Sequence, residues 1–376
     1  MTYCKNCGLQ KNHIEQQCNS QKFSLFPQQQ QNQPLKQEYL VNQSNQQSLI
    51  GQTDNAFTNQ QSNLKLPDQA NRSSIEDIYL KELLKKYNNK EDPNQSLENS
   101  SNQSSNRGLG KAIVQYLAQS EFSQFYHVIM TGRNVDQVSL AQEEILQNIQ
   151  KQKQKCQIEV QRLDVADSKS IKQFSNWFQN NFDRYDVLFN NAGVVNKQLD
   201  DYNLQKKPDQ ENARWTMQTN FFGTIELTKC LLPNLSQDGK ILMMSSNLGI
   251  LQYQGEKGKQ FLSNHNLNEQ DLIQAAQNYI NNANQNDTTM FCNSSYHTSK
   301  ALLNSYCRIV GPKILEPNQS MYAISPGWVK TDMGGEFAEE TIEQSGPFLA
   351  DLITKLPYGR NKLSFKFIEK MKEIDY

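Results

Sequence analysis

From about residue 107 onward the chain repeats one pattern, in which a short apolar run is followed by a brief connection, an amphipathic stretch at helical spacing and another apolar run. Strands that alternate with helices favour a parallel sheet covered on both faces, because each crossover lays a helix on the sheet. Tyr126–Thr131, Gln157–Leu163, Asp186–Asn190, Lys240–Ser245 and Ser320–Ser325 read as the strands. Gly108–Gln119, Val135–Gln154, Ser168–Phe182, Asn212–Leu232 and Tyr296–Leu315 read as the helices. The expected fold is therefore α/β, a doubly wound parallel sheet of Rossmann type over residues 106–376. One connection, residues 247–294, is long enough to be an insertion. It holds its own predicted helix, Asn268–Ile280, with Leu272, Ile273, Ala276, Tyr279 and Ile280 on one face.

The first 105 residues differ sharply. Gln, Asn, Ser and Lys dominate them, and Gln28-Gln29-Gln30-Gln31 is a homopolymer run. This stretch explains why only 36% of the 376 residues are hydrophobic and why mean hydropathy is −0.78. Residues 19–105 are expected to be a disordered linker, since ordering them costs more entropy than burial returns. One helical island interrupts it: Ser73 and Glu76 have capping-box spacing, and Ile75, Tyr79 and Leu83 repeat through Tyr87.

With 38 Lys and Arg against 39 Asp and Glu, the formal charge of −1 offers no global field for nucleic acid or an anionic membrane. No run approaches the length of a membrane span, and the N-terminus has no apolar signal core. A soluble cytoplasmic protein is the expectation. Of the seven cysteines, Cys156, Cys230, Cys292 and Cys307 are dispersed through the folded region, which suits reduced thiols better than a disulfide framework.

Two local patterns carry chemistry. Asn106-Arg107-Gly108-Leu109-Gly110 opens a helix, where unpaired N–H groups attract a phosphate and glycine lets the backbone approach it. Tyr296 and Lys300 lie one helical turn apart, so both project from one face. An ammonium beside a phenol stabilises the phenolate and draws a pKa of about 10 toward the range of acid–base catalysis.

Several motifs occur together in a fixed order. After Asn106–Gly110 come Leu163-Asp164-Val165, Asn190-Asn191-Ala192-Gly193, Asn220-Phe221-Phe222-Gly223 and Ser245-Ser246; Tyr296-x-x-x-Lys300 and Ser325-Pro326-Gly327-Trp328-Val329-Lys330-Thr331-Asp332 follow. In that order they resemble the short-chain dehydrogenase/reductase family. The insertion after Ser246 and the Pro326-Gly327-Trp328 run look like its carbonyl reductase branch. The resemblance implies Tyr296 as general acid and Lys300 as its electrostatic partner and ribose ligand. It also implies that Ser246 holds the carbonyl oxygen and that Asn220 positions a relay water. It implies NADPH as cofactor, because the second strand ends Thr131-Gly132-Arg133, with no acidic residue for a ribose hydroxyl, and Arg133 with Arg107 suits a 2′-phosphate. Asp164 and Val165 would flank the adenine. Asn191, Ala192, Gly193, Pro326, Gly327, Trp328, Val329 and Thr331 would line the rest of the cofactor site. The substrate would be a small-molecule ketone or aldehyde, with Ile250, Leu251, Tyr253, Trp328 and Met333 as pocket lining, and the insertion implies a monomer.

Two features depart from the family. Where its apolar first strand and first glycine belong, this chain has Leu97–Asn102, Gln103 and Ser104, so no first strand is expected. A cofactor-free descendant, replacement by another segment, or an N-terminal part foreign to this domain would each explain that, and the abrupt composition break favours the last. At the N-terminus, Cys4-x2-Cys7-x5-His13-x4-Cys18 resembles a zinc knuckle with one extra residue between Cys7 and His13. That resemblance implies zinc and contact with single-stranded nucleic acid, and it keeps a second function class open: a reductase-derived binding protein without catalysis.

Overall fold

The computed structural model describes residues 2–4, 101–103, 105–151, 156–196, 204, 206–283, 290–370 and 372–374. The island at Ser73–Tyr87 and the linker before residue 101 lie outside them. Ten strands and ten helices are named here in chain order. The strands are β1 (Thr2–Cys4), β2 (Ser101–Gln103), β3 (His127–Gly132), β4 (Gln157–Arg162), β5 (Tyr185–Asn190), β6 (Gly193–Val195), β7 (Leu235–Met244), β8 (Ser320–Ile324), β9 (Phe367–Glu369) and β10 (Lys372–Ile374). The helices are α1 (Gly108–Gln119), α2 (Val135–Lys151), α3 (Ser168–Asn181), α4 (Gln210–Met217), α5 (Gly223–Leu231), α6 (Glu256–Ser263), α7 (Glu269–Asn282), α8 (Ser295–Ser305), α9 (Gly311–Ile314) and α10 (Ile342–Lys355).

Eight strands form the main sheet in the order β10-β9-β8-β7-β5-β1-β3-β4. The pairs β3–β4, β5–β7, β7–β8 and β8–β9 are parallel. Side chains of the central strands alternate between two cores, as a period of two requires. Leu188, Ile241, Met243, Met321 and Ala323 face the layer of α3, α5, α7 and α8. Val187, Phe189, Leu242, Met244, Tyr322 and Ile324 face α1, α2 and α10. All are 5% exposed or less, and a truncation such as Leu188→Ala would cost about 2–5 kcal/mol.

The expectation of no first strand is corrected. β1 lies between β3 and β5, antiparallel to both, with Thr2 opposite Ile129 and Leu188 and Tyr3 opposite Val128 and Val187. An extended segment offers hydrogen-bonding groups along both edges whichever way it runs, so a strand from the far N-terminus meets the need for backbone partners. Ser101–Gln103 instead pairs antiparallel with β6 in a separate two-stranded sheet. The folded region thus includes residues 2–4, 101–103 and 105, before the boundary drawn at residue 106.

Two long expected helices are interrupted. Between α4 and α5 the chain makes a π-turn at Gln218–Phe222, and after α8 a second one at Tyr306–Val310. The insertion holds two helices, α6 and α7, which pack on α8 and α4. α7 begins with a reciprocal cap in which Asn268 and Asp271 each accept from the other's backbone N–H, at 3.1 and 2.7 Å.

Tyr3→Pro removes a backbone donor in the middle of the sheet and should lower stability by about 1–3 kcal/mol. Hydrogen exchange should accelerate at Val128, Ile129, Val187 and Leu188. Unchanged exchange there would contradict the placement of β1.

Candidate active site

The site gathers at the carboxyl ends of β5 and β7. α8 is capped by Ser294, whose Oγ accepts from the His297 N–H at 3.1 Å, and all eleven of its residues are buried. Lys300 is 2% exposed; its Nζ donates to the Met244 carbonyl at 2.8 Å and lies 5.6 Å from the Tyr296 ring centroid. Burial disfavours its charge and pushes its pKa down to about 7. Next to Tyr296, burial holds His297 neutral, at about 3, while its Nδ1 meets Ser294 Oγ at 2.7 Å.

Ser246 lies two residues past the end of β7, the strand that carries Met244. Its Oγ accepts from the Leu248 N–H at 3.2 Å and caps a short 3-10 turn, Asn247–Gly249. That turn packs directly on α8: a Cβ on Gly249 would lie 2.7 Å from the Lys300 carbonyl carbon. Asn304 ties the two together by accepting from Ser245 Oγ and donating to the Gly249 carbonyl at 3.2 Å.

Asn220 is fully buried on the first π-turn. Its Oδ1 accepts from Val194 N–H at 2.8 Å, and its Nδ2 donates to the Val194 carbonyl at 2.9 Å and to Ser299 Oγ at 3.0 Å. This reciprocal pair fixes β6, so that a Cβ on Gly193 would lie 3.3 Å from Lys300 Nζ and 3.6 Å from Asn220 Oδ1. Gly223 closes the turn where a Cβ would fall 1.7 Å from the Val165 carbonyl oxygen, which excludes any side chain. The Tyr296 hydroxyl lies 4.0 Å from Met333 Sδ. Tyr253 stacks edge-on against His297, with ring centroids 5.2 Å apart, while Ile250 and Leu251 pack on the core.

A cleft runs along the sheet end. It is lined by Arg133, Asp164, Val165, Asn191, Ala192 and Gly193, all read from the sequence. Ser105, Thr131, Trp215, Thr219, Thr224 and Leu227 also line it, beyond the site residues expected from the sequence; Trp215 and Thr219 sit one helical turn apart just before Asn220, a spacing that offers a signal. Ser105 is held on β3, its N–H donating to the Thr131 carbonyl at 3.1 Å and its Oγ accepting from Thr131 N–H at 3.3 Å. The phosphate-type turn at α1 therefore hangs from β3, while β1 fills the sheet separately. Gly108 adopts φ 53°, and Arg107 pairs with Asp332 at 3.2 Å. Trp328 Nε1 donates to the Gly334 carbonyl at 2.9 Å, and Gly327 takes φ 80°. Asn106 Nδ2 donates to Gln137 Oε1 at 3.2 Å. A dinucleotide fits these residues: Asn191 Oδ1 is buried in the cleft without a hydrogen-bond partner, and Gly193 keeps space open beside Lys300.

A family model for short chain dehydrogenases matches residues 104–257. The NADPH carbonyl reductase 1 of Rattus norvegicus is 26% identical over 275 residues, covering 71% of this chain and 94% of that protein. The (+)-neomenthol dehydrogenase of Arabidopsis thaliana is 28% identical over 261 residues, covering 64% and 85%. Among solved structures, menthone neomenthol reductase of Mentha piperita aligns with a TM-score of 0.58 at 25% identity, covering 72% of this chain and 97% of that one. The Rossmann-like α/β fold and these matches together support an oxidoreductase that is similar to the short chain dehydrogenases. Its relatives within that class are carbonyl-reductase-like.

The zinc expectation finds no support. Cys4 lies in β1, and Cys7, His13 and Cys18 lie outside the described residues, among which no group of three or more His, Cys, Asp or Glu could hold a metal. Cys156, Cys230 and Cys307 are free thiols. No helix among the described residues is long and apolar enough to cross a membrane.

Lys300 gives a signed pH dependence. Its folded pKa of about 7 lies below the ordinary 10.5, so the unfolded chain binds the proton more tightly between those values and folding stability rises with pH across that window. Measured against Lys300→Met, the wild type should gain stability as pH increases from about 7 toward 10. Parallel stability–pH curves for the two proteins would contradict the buried-ammonium geometry.

Proposed function

We propose that the protein reduces a ketone or aldehyde of moderate size to its alcohol with NADPH. The observation that carries this reading is the buried Tyr296–Lys300 pair packed against the Ser246 turn, next to Asn220 and to Gly193, which lines the cleft. NADPH, when bound, supplies the hydride. The Ser246 hydroxyl donates a hydrogen bond to the substrate oxygen and orients the carbonyl carbon. As negative charge grows on that oxygen, the Tyr296 hydroxyl gives up its proton to it. Lys300 stabilises the phenolate left behind, and it would also hold the ribose of the cofactor. Asn220 keeps Lys300 and β6 in place and positions the water through which the proton is restored.

The remaining roles follow from position. The α1 N-terminus, with Asn106, Arg107, Gly108, Leu109 and Gly110, would hold the pyrophosphate. Arg133 would bind the 2′-phosphate with Arg107, and Asp164 and Val165 would flank the adenine. Asn191, Ala192 and Gly193 would run along the middle of the cofactor, and Pro326, Gly327, Trp328, Val329 and Thr331 would cover it. The relatives support this reading, since one is named as an NADPH-dependent carbonyl reductase. An apolar pocket discriminates weakly among similar substrates, so several carbonyl compounds should serve. With α6 and α7 covering α4 and α8, a monomer is the proposed state.

Tyr296→Phe should retain folding and lose roughly 10²–10⁴-fold in turnover, the contribution of a positioned general acid. Steady-state kinetics with a panel of aromatic and aliphatic carbonyls reads the change, and unchanged turnover would overturn the assignment. Arg133→Ala should weaken NADPH by about tenfold or more while leaving NADH unaffected, because a charge-assisted contact contributes about 1.5–3 kcal/mol. Equal effects on both cofactors would remove Arg133 from the phosphate site.

A further inference from the structure

β9 ends at Glu369 and Lys370 follows it, two adjacent charged residues that reach opposite sides of the site. Glu369 Oε1 accepts from Asn247 Nδ2 at 2.7 Å and from Ser325 Oγ at 3.2 Å. Asn247 directly follows Ser246, and Ser325 directly precedes Pro326. Ser325 Oγ in turn accepts from the Gly327 N–H at 3.3 Å, so one carboxylate oxygen joins the serine turn to the start of the loop at 326–340. Lys370 reaches the other end of that loop, where its Nζ pairs with Glu340 Oε1 at 2.6 Å. Glu340 closes the loop on itself, accepting from Lys330 N–H at 2.7 Å and donating to the Trp328 carbonyl at 3.0 Å.

The backbone at this point is unusual. Lys370 has φ 49°, the left-handed region that a side chain disfavours, and it is one of two non-glycine residues with positive φ among those described. That turn lets neighbouring side chains diverge toward two targets instead of alternating across the sheet. Strain of this kind persists only where surrounding contacts over-determine it. Glu369, half-buried and bonded to two side chains, is the firmer arm; the Lys370 pair, exposed on its lysine side, contributes less.

We propose that Glu369 and Lys370 are positioning residues that pin the Ser246 turn and the 326–340 loop to the C-terminal edge of the sheet. Glu369 sets the distance between the substrate-orienting serine and the loop that covers the cofactor, and Lys370 holds the far end of that loop. The inference rests on the reductase reading for its catalytic consequence, and on the hydrogen bonds alone for its mechanical one.

The test is hydrogen exchange on the full chain without cofactor, together with steady-state kinetics. Glu369→Ala should speed exchange about tenfold at Gly249, Gly327 and Lys330 and leave Ile241–Met243 protected. It should also cut kcat/KM about tenfold. Glu369→Gln keeps the accepting oxygen and should retain most of both properties, which a purely electrostatic role would not allow. Lys370→Met should loosen Lys330 alone and raise KM for NADPH without lowering kcat. If Glu369→Ala fails to fold, Asn247→Asp sets two carboxylates against each other and should loosen the same amides. Unchanged exchange, or equal behaviour of the Ala and Gln variants, overturns the proposal. Loosened amides in Glu369→Ala, together with a wild-type protein that shows no reductase activity, would uphold the pinning and remove the reductase reading.

Discussion

The Lys300 ammonium, buried between α8 and the end of β7 with the Met244 carbonyl as acceptor, is the interaction on which the rest of the site depends. A charge removed from water is tolerated only where the surrounding backbone is fixed to receive it. Gly249 lets the serine turn approach α8, Gly193 leaves space beside the ammonium, and Asn220 locks β6 through two bonds to Val194. Each constraint serves chemistry as well as packing, since the same geometry holds Tyr296 one helical turn away.

The π-turn explains why Asn220 can do this. In an unbroken helix the residue would bond along the helix axis and its side chain would follow the helical surface. Widening one turn rotates Asn220 toward β6 and frees local backbone groups, and π-turns recur at functional sites for this reason. Gly223 allows the chain to resume α5 against Val165. The motif Asn220-Phe221-Phe222-Gly223 is thus one mechanical unit, with the two aromatics packing toward Tyr306 and the core.

Much of this was legible in the sequence, and the failures have physical causes. Strand alternation and helical spacing marked the central sheet, because burial on two faces imposes periods that composition cannot hide. The shared helix face of Tyr296 and Lys300 was legible from their spacing. β1 was not, since three residues far upstream carry no local sign that they enter a sheet between β3 and β5. Trp215 and Thr219 were missed because their only signal is a position one turn before a motif that drew attention to itself. α10 and β9 follow the loop where family-like motifs stop, so no motif marks them in the sequence, yet β9 supplies Glu369.

The central claim is that this cleft holds NADPH although β1 and the phosphate-type turn come from separate segments. Titration of the full chain with NADPH and with NADH, followed by nicotinamide fluorescence, tests it most directly. The account predicts saturable binding at micromolar concentration with a clear preference for NADPH. A well-folded protein that binds neither dinucleotide would contradict it.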